Sequence, residues 1–353
     1  MTNSTYISQD DPRILLRLLF EAPHTYARNL LLADLLQRTS GFPPDERLEI
    51  LSSSATAFLP SFATNAIGPL ALKQYAMQHQ APQQRDVIVI TVKLPELYAV
   101  QHAFGLDPSI PPDESYHGIR FWHTDLHSTS LKRSLRVAIT MSGEDSNTPM
   151  AAFLGSVFAF YKRPSLAVLV GMAAGVEGEV QLGDVVLATQ ITDYLRAKMT
   201  VDGPRWRPRH VPPLEFTGRQ ISYFDPHRDG LFQRRWLELL TALPDYYRMM
   251  IPVDFDHDRT PVMKKGVVLS GDRLVEDGSF SDWHDRHDDL VRAGEMEGFG
   301  FAYACQERRL PWFIVRGIAD YGLPLRAKDW QFISSAAAAV IARQFIEEYR
   351  IPR

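Results

Sequence analysis

Four carboxylates hold most of the chemistry this sequence offers. Glu295 and Glu297 stand in EMEG, just after a short apolar run and just before a helical pattern, and Asp320 closes the apolar run WFIVRGIAD. Glu96 follows a β-branched run, VIVITV, and opens a helical stretch. Carboxyl groups drawn into one pocket can divide acid and base duties, because burial and mutual repulsion push their proton affinities apart. In an open α/β sheet, ligands sit beyond the carboxyl ends of the strands. Glu297 and Asp320 are therefore candidates for a single pocket. Glu96 either favours the N-terminus of its helix or faces the same crevice.

The elements that must position these groups follow from apolar periodicity. Gly298, Phe301, Ala302 and Cys305 recur at helical spacing, Pro311 breaks the pattern, and Trp312 to Val315 form a strand buried on both faces. Comparable runs predict strands from Val87 to Val92, Leu135 to Thr140, Ser165 to Val170, Val185 to Thr189 and Lys264 to Ser270. Thr148 and Pro149 suit a helix start, GMAAG reads as a strand-to-helix turn, and residues 105 to 130 show no clear period. The last segment, from Lys328, reads as a helix packed on the sheet. Residues 12 to 80 carry helical patterns with one apolar face each. The expected organisation is a helical N-terminal extension over 1–82, open to oligomerisation or partner docking, and an α/β domain over 83–353.

Composition bounds the function. With 353 residues, 45% of them hydrophobic and a net charge of −4, the chain can bury a large core and advertises no general nucleic-acid or membrane surface. No apolar run approaches the roughly 18 residues of a membrane span, and the start lacks a secretory pattern, so a cytoplasmic location is expected. The single cysteine, Cys305, reads as a buried thiol. The histidines lack metal-ligand spacing, so neither metal nor cofactor is expected. Lys198, Arg205, Arg207 and Arg209 cluster in an otherwise acidic chain. They are either a solvated face or a clamp for phosphates. Cations are missing from the turn Ser142 to Asn147, which contains Glu144 and Asp145.

From Val87 onward the order of motifs resembles the nucleoside phosphorylase and nucleosidase superfamily, which includes purine nucleoside phosphorylase and methylthioadenosine/S-adenosylhomocysteine nucleosidase. The resemblance rests on Glu96 at its strand end, GMAAG followed by LGDVV, SGDRLV, and EMEG followed by VRGIAD. It implies a three-layer α/β fold with a central mixed sheet flanked by helices, and a purine nucleoside or nucleotide as small-molecule substrate. It further implies that Glu297, beside Glu295, accepts the ribose 2′ and 3′ hydroxyls, that Met296 packs on the sugar, and that Asp320 protonates purine N7. Gly171, Met172, Ala173, Leu274 and Val275 would border the base, with Ser142 and Asn147 in the crevice. As in glycoside hydrolysis, one carboxyl helps the leaving group and a second, Glu96, helps water attack the other face. Relatives that are phosphorylases hold phosphate with arginines in the early turns. Their absence here, beside Glu144 and Asp145, favours water as the nucleophile. The expected activity is an N-ribosyl hydrolase of adenine-type substrates, active as a homo-oligomer. The N-terminal extension resembles fused versions found in immunity-type proteins, which implies a defence effector acting on AMP or ATP. The alternatives are a phosphate-dependent phosphorylase and a nucleotide-sensing module with little catalysis.

Overall fold

A computed structural model of the chain describes residues 84–162, 164–323 and 328–351. The helices expected over 1–82, and the docking role assigned to them, lie outside the described residues. The elements below belong to one compact unit, Gln84–Asp113 with Ile119–Arg353; Glu114–Gly118 groups with the other unit and holds a short strand, Glu114–Tyr116.

The chain enters through β1 (Val87–Thr91) and α1 (Leu94–Ala103), turns back in the hairpin β2 (Ile119–Ser128) and β3 (Arg133–Met141), and passes through α2 (Asn147–Phe160) into β4 (Leu166–Gly175). β5 (Val185–Asp193), a small hairpin of β6 (Ala197–Thr200) and β7 (Gly203–Trp206), and β8 (Arg209–Val211) follow. Helices α3 (Glu215–Tyr223), α4 (Leu231–Ala242) and α5 (Asp245–Arg248) lead to β9 (Met263–Ser270) and α6 (Ser279–Arg286). Then come β10 (Val291–Glu295), α7 (Gly298–Glu307), β11 (Trp312–Asp320) and α8 (Gln331–Glu348). This is the expected α/β architecture, a central mixed sheet flanked by helices.

The strand order is β10-β9-β5-β11-β4-β1-β3-β2, with β8 paired to β5. β1 lies between β3 and β4, parallel to both, and all five of its residues are buried. That explains why its sequence is continuously apolar instead of alternating. An extra antiparallel pairing of β10 with β4, Ala293 opposite Gly175, closes β4, β11, β5, β9 and β10 into a ring. The carboxyl ends of β1, β4, β10 and β11 are thereby brought close together. α8 packs on α1, β4 and β11, and its Ala336 to Ala339 are fully buried. No helix among the described residues is long and apolar enough to cross a membrane.

Two expectations are corrected. GMAAG is not a turn: β4 runs through it to Gly175 and pairs with β11 as far as Asp320. Residues 119–128, read as irregular, form a strand whose Phe121 to Ser128 pair antiparallel with Thr140 to Arg133. Only Phe121, Leu126 and Ser128 of its ten residues are buried, so the strand leaves neither a continuous apolar run nor a clean alternation to find.

Gly300 marks a contact that sets the site. A Cβ there would overlap the backbone carbonyl of Asn147, where α7 crosses the start of α2. Gly300→Ala is expected to cost about 1–3 kcal/mol through overpacking. Gly155→Ala, where a Cβ meets open space in α2, should raise stability by about 0.5–1 kcal/mol. Denaturant midpoints of the two variants check the contrast, and a neutral Gly300→Ala contradicts the close approach.

Candidate active site

Glu96, Glu297 and Asp320 line one pocket at the carboxyl ends of the strands, together with Met172, Ala173, Leu274, Val275, Glu295 and Met296. Each is placed by its own local device. Glu96 is in the first turn of α1 and is 2% exposed. One carboxylate oxygen accepts the backbone N–H groups of Val92 (2.7 Å) and Lys93 (2.9 Å), and the other accepts that of Met172 (3.0 Å). These three amides tie it to the end of β1 and to β4. Both helix-capping and crevice-facing readings of Glu96 describe the same side chain.

Asp320 ends β11 next to a register shift. Ile318 pairs with Ala173, but Asp320 pairs with Ala174, so the ladder skips Ala319. Bulges of this kind re-aim side chains at the rims of closed sheets. One Asp320 oxygen accepts the Gly322 N–H at 2.8 Å. Its other oxygen has no hydrogen-bond donor among the described residues.

The floor of the pocket is a buried ion cluster. Arg316 is fully buried on β11, and one nitrogen of its guanidinium donates to both Glu295 and Glu297, the latter at 3.3 Å. Glu295 also accepts the backbone N–H of Glu297 (3.0 Å) and of Gly298, so it organises the start of α7. Gly171 is where Arg316 and Glu96 press against the backbone: a Cβ would overlap both side chains. Its smallness makes room for protein groups. Sequence reasoning quoted Arg316 inside its motif and gave it no role. The available signal was an arginine alone in an apolar strand, which must find buried partners.

Glu297 is squeezed by its neighbours. Burial, with Glu295 and then Glu96 adding negative charge against the pull of Arg316, pushes its carboxyl up to about 8 from an ordinary 4.5. Between those values the folded chain holds a proton that the unfolded chain has released, so stability falls as pH rises through the window. Glu297→Gln removes that proton exchange. Denaturant midpoints at pH 5, 6.5 and 8 are expected to fall for the parent protein relative to the variant, and parallel curves refute the strained carboxyl.

The remaining expected residues are placed as follows. Leu274 is 59% exposed and Val275 is 9% exposed, both on the loop after β9. The Asn147 side chain bridges Ser270 Oγ (2.9 Å) and Gly300 N (2.8 Å), and its own N–H donates to Asp272 (2.8 Å). Ser142 donates its N–H to Thr91 O at the end of β1. Neither Asn147 nor Ser142 lines the pocket. Lys198 and Arg205 face each other in the β6–β7 hairpin, Arg207 follows it, and Arg209 stacks 4.4 Å over the Tyr303 ring. None of these four cations is among the pocket-lining residues. Two other cations are: Lys93, paired with Asp145 at 3.1 Å, and Arg273. Cys305 is fully buried, and burial raises its thiol well above the ordinary range.

A family model described as the phosphorylase superfamily matches residues 87–348. Among curated proteins, the chain is similar to ATP nucleosidase Cap17 of Escherichia coli (strain KTE188), 24% identical over 277 residues that cover 74% of this chain and 51% of that protein. It is also similar to a death domain-containing ATP nucleosidase of Amphimedon queenslandica, 22% identical over 59% of this chain and 38% of that protein. The chain thus spans about half the length, or less, of these curated relatives. Among solved structures, the 5′-methylthioadenosine/S-adenosylhomocysteine nucleosidase of Neisseria meningitidis matches with a TM-score of 0.53 and 16% identity, over 74% of this chain and 98% of that one. At that identity the match speaks for the fold.

Proposed function

Because the chain belongs to the phosphorylase superfamily, we propose that its pocket hydrolyses the N-glycosidic bond of an adenine-type purine nucleoside or nucleotide, releasing free base and sugar. The named activities of the curated relatives support an adenine nucleotide such as ATP. Action as a defence effector, in the cytoplasm and as a homo-oligomer, is the fuller form of the same proposal.

One observation carries the choice of water. Backbone amides at strand ends make a natural cradle for an anion, and here three of them already hold the carboxylate of Glu96. A phosphate nucleophile would have to displace Glu96 and sit near Glu295 and Glu297, which share one guanidinium. A phosphate competes with the Glu96 carboxylate for the same three amides and is repelled by it. Water needs no such displacement.

The reaction then balances within the pocket. As the bond from C1′ to purine N9 breaks, its electron pair leaves with the base, and Asp320 delivers a proton to N7. Glu297 holds the 2′ and 3′ hydroxyls. Water bonds to C1′ from the opposite face and gives its proton to Glu96, and solvent exchange resets the two carboxyls. Incubation in ¹⁸O-labelled water without phosphate should yield free base and a sugar labelled at C1. A requirement for phosphate, with ribose 1-phosphate as product, defeats the proposal.

A further inference from the structure

We propose that the rim of this pocket is a phosphate subsite, in which Lys93 and Arg273 hold the 5′-phosphates of a nucleotide substrate and Asp145 is a built-in counter-ion that the phosphates displace. The inference rests on reading the pocket as an N-glycosidase site and deepens it to a preference for nucleotides over nucleosides.

The rim is defined by exposure. Glu96, Glu295 and Glu297 are buried, whereas Lys93, Asp145, Arg273 and Leu274 are the exposed members of the lining. With the sugar against Glu297 and the base toward Asp320, the charged end of a nucleotide has to leave the buried carboxylates and reach the solvent side. There it meets two cations and one anion. A neutral 5′-hydroxyl gains nothing from that balance, while a phosphate chain does.

The loops that carry these residues are fastened to one another. Lys93 ends the β1 loop, and its backbone N–H is one of the three that hold Glu96. The loop bearing Asp145 donates Ser142 N–H to Thr91 O (2.9 Å) and Gly143 N–H to Val92 O (3.1 Å). Two residues past Asp145, the Asn147 N–H donates to Asp272 at 2.8 Å, which joins it to the loop of Arg273. The backbones that carry the two cations are thus fastened beside the acid that would activate water.

Energetics favour exchange of partners. The Lys93 and Asp145 side chains are 46% and 42% exposed, and pairs of that kind contribute only about 0–1 kcal/mol. Arg273 has no ion-pair or side-chain hydrogen-bond partner among the described residues. Its planar fork suits two phosphate oxygens at once. The cluster of Lys198, Arg205, Arg207 and Arg209 lies off the pocket lining and is the natural rival.

The test compares kcat/KM for adenosine, AMP and ATP, read as adenine released on chromatography. The parent protein is expected to prefer the nucleotides. Lys93→Ala and Arg273→Ala should each lower the nucleotide-to-adenosine ratio about tenfold, as loss of one charged hydrogen bond implies, whereas Lys93→Arg retains most of it. Asp145→Asn should move the ratio the other way, up to about fivefold. An unchanged ratio in the Lys93→Ala/Arg273→Ala double variant overturns the inference, as does a ratio that falls in Arg205→Ala/Arg207→Ala instead. Failure of the parent protein to release base from all three substrates sinks the N-glycosidase reading itself. Calorimetric binding of inorganic tripolyphosphate, about tenfold weaker or worse in the double variant, tests the rim apart from turnover; equal binding overturns it.

Discussion

Glu96→Gln is expected to lower kcat by about 100- to 10,000-fold with a smaller change in KM. The carboxylate receives three backbone N–H groups and, among the described residues, none from side chains. An amide of the same shape can accept at only one end, so its NH₂ must face either the Met172 N–H or those of Val92 and Lys93. It can take no proton from water in either orientation. Loss of a merely structural cap would lower stability and leave turnover per folded molecule nearly intact. Loss of the base spares binding and removes the chemical step. Glu96→Ala separates the two further, because it opens space where a small anion can attack C1′ without a base. Azide should then restore base release and yield a ribosyl azide. Wild-type turnover in Glu96→Gln, or no response of Glu96→Ala to azide, removes Glu96 from the reaction.

Much of the fold was legible because buried strands leave continuous apolar runs, and β1, β3, β9 and β11 were found that way. EMEG and RGIAD stood out because they carry acids where packing would choose apolar residues. What escaped notice depends on neighbours distant in sequence. β4 continues through GMAAG because β11 supplies a partner for it and because Gly171 must stay small beneath Arg316 and Glu96. The ring closed by β10 on β4 leaves no local trace. Lys93 and Arg273 were overlooked for the same reason. The Ser142 to Asn147 turn carries no cation of its own, and the one that pairs with Asp145 comes from a loop some fifty residues earlier. Asn147 shows the converse: its type and position fit a substrate contact, while its side chain ties α2 to β9 and α7.

The second large effect is expected at Asp320. Departure of a purine leaves an electron pair on the base, and protonation at N7 lowers the barrier by neutralising it; Asp320→Asn removes the donor and should lower kcat about 100- to 10,000-fold. The substitution keeps the rotamer anchor, since an asparagine oxygen can still accept the Gly322 N–H. Stability is therefore expected to change little. The discriminating measurement uses a ribosyl substrate whose leaving group, such as p-nitrophenolate, departs without a proton. On that substrate Asp320→Asn should stay within about tenfold of the parent protein, a gap of about 1.4 kcal/mol, because the missing acid has nothing to protonate. Glu96→Gln should remain impaired on it, since water must still be activated. The opposing pattern, with both variants equally slow on both substrates, would mean that Asp320 only supports the pocket wall, and the division of labour between the two acids would fall with it.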